Sequence, residues 1–363
     1  MTRVLHVITM LDIGGAERLM VDLLPLLNNH VNMDVDLLLF NGVVTPFKKE
    51  LEQKGIQIFE LGCVDDVDDL WSVYNPRILL RLKRFMVGYD IIHTHNTACQ
   101  LYVPLAKSIY GSSAKLVTTE HNSTNRRRSK SWFKPIDSWM YNKYDGIICI
   151  SNQTRQNLED YIGHINSITT IYNGVEISRF MKPVNQIKEK HQFVITMVAA
   201  FREQKDHETL LRAMKLLPGC FYLRLVGRGE TEARVKQMCS EFGLDNRVSF
   251  MGMRSDVQDI LTESDVVVLS SHWEGLSLSS IEGMASGRPF VASDVDGLHE
   301  IVSGAGILFP HGDEKALAES IKRLCENPGY YDEVAKACQN RARKYDISVM
   351  ANAYYGLYQS LLK

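Results

Sequence analysis

The chain has 363 residues, with 41 Lys plus Arg against 43 Asp plus Glu, a formal net charge of -2 and 45% hydrophobic residues. That balance excludes a protein built mainly to hold nucleic acid, which carries a basic excess. No apolar run reaches the ~20 residues that span a bilayer. The length exceeds what one hydrophobic core usually organises, so two domains are expected.

In chain order, Met1–Ile8 is interrupted too early for a signal peptide and reads as a first buried strand. Further strands are expected at Val35–Phe40, Ile56–Leu61, Ile91–His95, Lys115–Thr119 and Gly146–Ile150, with helical periodicity between them at Glu17–Leu27 and Arg77–Met86. This alternation predicts a parallel sheet covered by helices on both faces. The polar stretch Lys182–Gln192 reads as a linker, placing an N-terminal domain at 1–180 and a second at 190–345. Strands of the second series are expected at Phe193–Ala199, Tyr222–Val226, Val248–Phe250, Val266–Leu269, Phe290–Ser293 and Gly306–Phe309. Its helices are expected at His207–Leu217, Glu230–Phe242, Asp256–Glu263, Ser279–Ser286 and Glu314–Glu326, with a final helix at Ser348–Leu362. The fold class is therefore α/β, two doubly wound Rossmann-like domains in series, with a ligand expected at their strand ends. Seven scattered cysteines with no CxxC pair fit reduced thiols in a cytoplasmic protein.

Four loops could hold an anionic ligand. Gly14 and Gly15 follow the first strand and open a helix, so backbone N–H groups there could meet negative charge. The pattern is neither GxGxxG nor a Walker loop, and a plain tight turn explains it equally well. Arg202 and Lys205 end the first strand of the second half, where two cations suit a diphosphate; the bland reading is a solvated turn. Gly227 follows a later strand and could let a base or ribose pack on backbone, or could simply make the turn. In His272–Gly287, Glu274 stands in a strand-end loop with Gly275, Leu276, Ser277 and Leu278, and Glu282 lies in the first turn of the next helix. The carboxylate of Glu282 suits two ribose hydroxyls. Ser279-Ser280-Ile281-Glu282 also spells a capping box, and the residues leave cap and ligand role open.

Together these features resemble the retaining, nucleotide-sugar-dependent glycosyltransferases of family 4, which have the GT-B fold. The residues that carry the resemblance are Gly14-Gly15-Ala16-Glu17, Glu120-His121, Asn173-Gly174-Val175, Arg202 with Lys205, Glu274-Gly275-Leu276 through Glu282, and Gly287-x-Pro289. The resemblance covers essentially the whole chain, and it implies that the last helix, 346–363, returns to the N-terminal domain. It further implies catalytic roles for Glu274, His121, Arg202 and Lys205. Glu274 would meet the donor sugar, Glu282 the ribose, and Arg202 and Lys205 the diphosphate. Gly15 would approach the same phosphates and His121 the transferred sugar, with no metal or other cofactor required. Phe201 before Arg202 and Gly283 after Glu282 depart from the family pattern, which touches positioning more than class.

Other features weigh less. Asp66-Val67-Asp68 spells a DxD inside an acidic run and reads as a solvated loop. His93 and His95 lack an assignable third ligand for zinc and read as buried or acceptor-facing, with His95, alongside Glu17, the better candidate for the acceptor side. Two basic stretches, Arg77–Met86 and Arg126–Lys134, interleave cations with Ile, Leu, Trp and Phe, as an anionic membrane surface would require; a surface helix and a basic loop explain them equally. The expected activity is transfer of a hexose or N-acetylhexosamine from a UDP- or GDP-sugar to a glycan acceptor, lipid-linked, in surface polysaccharide or glycoconjugate synthesis. The alternatives are a UDP-sugar 2-epimerase of the same architecture and a non-catalytic nucleotide-sugar binding module.

Overall fold

A computed structural model describes residues 1–12, 15–62, 75–121, 128, 130–165, 167–184 and 192–363. The chain divides into two compact units, Met1–Gly174 with Ile347–Lys363, and Val175–Asp346. The division falls at Gly174/Val175, upstream of the polar stretch expected as the linker, most of which (185–191) lies outside the described residues.

The first unit holds a seven-stranded parallel sheet: β1 (Thr2–Ile8), β2 (Met33–Leu39), β3 (Gln57–Glu60), β4 (Ile91–His95), β5 (Lys115–Glu120), β6 (Gly146–Cys149) and β7 (Ile168–Thr170), in the order β3-β2-β1-β4-β5-β6-β7. All five residues of β4 are buried, as a central strand covered on both faces requires. Helix α1 (Gly15–Asn28) follows β1. The C-terminal helix α14 (Ile347–Leu361) buries Ile347, Met350, Ala351, Tyr354 and Tyr358, one stripe at helical spacing, in the same core as Leu19, Leu23 and Leu27 of α1.

The second unit holds a six-stranded parallel sheet of β8 (Phe193–Val198), β9 (Phe221–Val226), β10 (Val248–Gly252), β11 (Val266–Leu269), β12 (Phe290–Asp294) and β13 (Ile307–Pro310), in the order β10-β9-β8-β11-β12-β13. Helices α7 (His207–Leu216), α10 (Leu278–Ala285) and α11 (Asp296–Val302) follow β8, β11 and β12. The strand order reverses between β8 and β11, so the loops after these two strands lie side by side at a topological switch point.

Some elements depart from expectation. The Arg77–Met86 helix is only α3 (Arg77–Leu82) continued by a 3-10 turn, Lys83–Phe85. Strand β7 has three residues, too few for a readable pattern. Helix α13 (Pro328–Ala342) was missed, although Asn327, whose side chain accepts from the Tyr330 N–H, caps it with Pro328 at the first helical position. Among the described residues, no helix is long and apolar enough to cross a membrane.

Candidate active site

The loops after β8 and β11 are zipped together by their backbones. Lys205 and Ser271 form an antiparallel bridge, His272 N–H donates to Gln204 O at 2.8 Å, and Asp206 N–H donates to Ser270 O at 3.0 Å. This zipper brings Lys205 to Glu274. The ammonium pairs with Glu274 Oε1, Ser271 Oγ donates to the same oxygen at 2.7 Å, and Gln204 Nε2 donates to Oε2 at 3.0 Å. The side chains of Lys205 and Glu274 are only 12% and 5% exposed, so the pair is shielded from bulk water. Three donors on one carboxylate fix it in direction. Ser271 is itself held from β12: Ser293 Oγ accepts from Ser271 N–H at 2.7 Å and donates to Ser271 O at 3.0 Å.

Gly297, in α11, presses against this loop from behind. A Cβ there would lie 1.7 Å from Gly275 O and 2.7 Å from Glu274 O. Gly227, at φ +145°, does the same for the loop after β8, where a Cβ would stand 2.0 Å from Ala199 O. Gly227 was expected to receive a ligand; its close approach to Ala199 is an independent reason for glycine. Arg202 stays exposed, and among the described residues its guanidinium has no partner, so it does not join the Lys205–Glu274 pair. Before it, Phe201 is buried in a stack on the His207 ring at 4.3 Å, which accounts for an aromatic residue at this turn.

The capping-box reading of Glu282 is overturned. The N-cap of α10 is Ser277, in extended conformation, which makes Ser279 the second helical residue and puts Glu282 five positions past the cap, in the second turn rather than the first. A capping-box acid must sit three positions past the cap. Leu276 and Ser277 are buried just ahead of the helix, whose first N–H groups lack intrahelical acceptors. Gly283 follows because a Cβ would stand 2.7 Å from the Phe290 ring.

In the first unit, Gly15 is the first residue of α1 and Glu17 lies in its first turn, while Gly14 and the DxD at 66–68 lie outside the described residues. His121 follows β5 and is half-buried. His95, expected on the acceptor side, is fully buried, with Nε2 at 2.9 Å from His6 Nδ1 and Nδ1 at 3.1 Å from His121 Nε2. The third histidine that sequence spacing could not supply is His6, in register with His93 on the adjacent strand. All six ring nitrogens of His6, His93 and His95 are taken up in hydrogen bonds within the protein. Burial pulls His6 down to about 3 and His121 to about 4. It carries His93 and His95 well below the usual histidine range, helped by neighbouring imidazoles.

Arg128 corrects the reading of the second basic stretch. Its guanidinium pairs with Glu120 at 2.5 Å, with side chains 9% and 6% exposed, and Gln100 and Tyr141 also donate to that carboxylate. It is an interior ion pair, whereas Lys130 and Lys134 are exposed beside Trp132, Ile136 and Trp139. Sequence reasoning also missed Ser271, Gln204, Ser293 and Gly297, which support Glu274. Only the Ser270-Ser271 pair directly after a buried strand could have hinted at them. Asn96, at φ +79° after β4, was missed too; its amide donates to Thr9 Oγ1 at 3.1 Å and ties the ends of β1 and β4 together.

Comparison with known proteins decides the family. Residues 13–179 match the family model described as Glycosyltransferase Family 4, and residues 179–345 match Glycosyl transferases group 1. The chain belongs to the family 4 glycosyltransferases. The enzyme is 26% identical to the Escherichia coli UDP-Gal:alpha-D-GlcNAc-diphosphoundecaprenol alpha-1,3-galactosyltransferase, over 93% of this chain and 92% of that one. It is 24% identical to a Campylobacter jejuni N-acetylgalactosamine-N,N'-diacetylbacillosaminyl-diphospho-undecaprenol 4-alpha-N-acetylgalactosaminyltransferase, over 91% of each. Among solved structures, Anabaena Alr3699/HepE in complex with UDP and glucose aligns with a TM-score of 0.85 at 21% identity, over 99% of this chain and 100% of that one. This likeness shows that the fold is GT-B.

Proposed function

We propose that the enzyme transfers a hexose or N-acetylhexosamine from a UDP- or GDP-sugar, with retention at the anomeric carbon, to a lipid-linked glycan in surface polysaccharide or glycoconjugate synthesis. The observation that carries this reading is the Lys205–Glu274 pair, locked by two zipped strand-end loops immediately ahead of the α10 N-terminus. Departure of a nucleoside diphosphate develops negative charge, and an ammonium, a guanidinium and a helix N-terminus stabilise it. In this reading Lys205 and Arg202 take the diphosphate, and Glu274 takes sugar hydroxyls. Glu282 takes the ribose, Gly15 lies near the phosphates, and His121 contacts the transferred sugar. A diphosphate reaching Lys205 competes with Glu274 for it, which couples donor binding to the release of the carboxylate. The departing phosphate can take the proton of the incoming hydroxyl on the same face, which gives retention.

Two relatives, the Escherichia coli galactosyltransferase and the Campylobacter jejuni N-acetylgalactosaminyltransferase, are named for diphosphoundecaprenol-linked sugars, which supports the acceptor class. A second support is the exposed Trp132, Ile136 and Trp139 beside Lys130 and Lys134, an apolar and cationic surface suited to the anionic cytoplasmic leaflet. A thermal-shift panel of nucleotide sugars identifies the donor, since binding raises the apparent melting temperature. NMR of the product's anomeric proton then reads retention or inversion. Unchanged turnover in Glu282→Ala, or isomerisation of the donor without acceptor, defeats the reading.

A further inference from the structure

Four histidines of the first unit, His6, His93, His95 and His121, belong to one continuous hydrogen-bonded chain. From the inside outward, Tyr354 Oη lies 3.1 Å from Thr119 Oγ1, and Thr119 Oγ1 lies 2.8 Å from His93 Nε2. His93 Nδ1 is 2.5 Å from Tyr358 Oη, which is 3.2 Å from His6 Nε2. The chain then runs from His6 Nδ1 to His95 Nε2 at 2.9 Å and from His95 Nδ1 to His121 Nε2 at 3.1 Å. Every member but His121 is essentially unexposed.

Proton counting fixes the direction of this chain. A neutral imidazole has one N–H and one lone pair, and a hydroxyl has one proton, so each link sets the next. If the donors pointed inward, His93 would donate to Thr119 and Thr119 to Tyr354. The phenolic proton of Tyr354 would then be buried with no acceptor among the described residues. If they point outward, Tyr354 donates to Thr119, Thr119 to His93 Nε2, His93 Nδ1–H to Tyr358, Tyr358 to His6 Nε2, His6 Nδ1–H to His95, and His95 Nδ1–H to His121 Nε2. Every buried proton then has an acceptor. The inward arrangement leaves one buried donor unsatisfied, a bias of at least about fivefold against it. Near pH 7 all four rings are neutral, as the counting requires, because burial lowers each of them.

We propose that this chain is a tautomer-setting relay: the C-terminal helix, through Tyr354 and Tyr358, fixes His121 as the Nδ1–H tautomer, so that it presents a hydrogen-bond donor to a substrate oxygen and cannot serve as a base there. Tyr354, Thr119, His93, Tyr358, His6 and His95 are then positioning residues acting through His121. The functional half rests on the proposed contact of His121 with the sugar.

Selective 15N-histidine labelling of the full chain at pH 7.5, read by long-range 1H–15N correlation, reports the tautomers directly. Four Nδ1–H rings, the form an isolated imidazole in water disfavours, are expected. An Nε2–H ring at His121 overturns the inference whatever the activity. Thr119→Val removes the hydroxyl that feeds His93, so the Nε2–H form of His121 should become populated and kcat should fall by up to about fivefold, with the affinity for UDP or GDP unchanged. Thr119→Ser restores both. An unchanged tautomer in folded Thr119→Val overturns the relay. Unchanged kcat in His121→Ala, with the tautomers as expected, instead removes His121 from the site and overturns the functional half alone.

Discussion

Acid should unfold the first unit well before its carboxylates titrate. His6, His93 and His95 are fully buried. Burial holds His6 down at about 3, and burial with neighbouring imidazoles holds the other two well below the usual histidine range. The remaining titratable groups touching the chain are Tyr354, Tyr358 and His121, and Glu120 lies beside His121. In the unfolded chain each histidine takes up a proton near its ordinary value of about 6.5. The unfolded state therefore binds more protons below that pH, and stability is full above it and lost as pH falls towards the folded values. Between pH 7.5 and 5.5 each of the three costs about 1.3 kcal/mol, half-buried His121 left aside, so the first unit loses about 4 kcal/mol. With a urea slope of about 2 kcal/mol per M, its midpoint should fall by about 2 M. Hydrogen exchange of peptides from β1 and β4 across a urea series reads this unit separately. The second unit is an internal control: buried His207, held at about 4, costs it about a third as much. A first-unit midpoint that stays level or rises on acidification refutes the reasoning.

Four further outcomes follow from the same geometry. Lys205→Met leaves Glu274 buried without its cation and should cost about 3 kcal/mol in urea unfolding of the second unit, while Lys205→Met with Glu274→Met should regain most of that and stay inactive. Gly297→Ala drives a Cβ into Gly275 O and should lower kcat/KM by about a hundredfold through displacement of the Glu274 loop, with circular dichroism unchanged. Arg128→Met breaks an interior ion pair and should cost about 3 kcal/mol of stability in the first unit without changing sedimentation with anionic vesicles. Replacing Lys130 and Lys134 by Gln should do the reverse, weakening vesicle binding at low salt with little loss of stability.

The fold class was legible in the sequence, because strands buried on both faces mostly read as near-continuous apolar runs, and the helices between them carry an apolar stripe. Val266–Leu269 is legible to the residue for that reason. The sequence singled out Arg202, Lys205, Glu274 and Glu282 as a set only through its resemblance to family 4, because each residue taken alone left a structural reading open. It could not tell which of them meet. Lys205 and Glu274 are 69 positions apart, and their contact depends on the strand order placing β8 beside β11, which no local pattern encodes. Arg128 read as one more surface cation because the carboxylate that buries it lies on another element. The histidines read as isolated residues, since His6 and Tyr358 are 352 positions apart. Only the parallel register of β1 with β4, and the return of α14 over them, turns four scattered rings and two tyrosines into one directed chain.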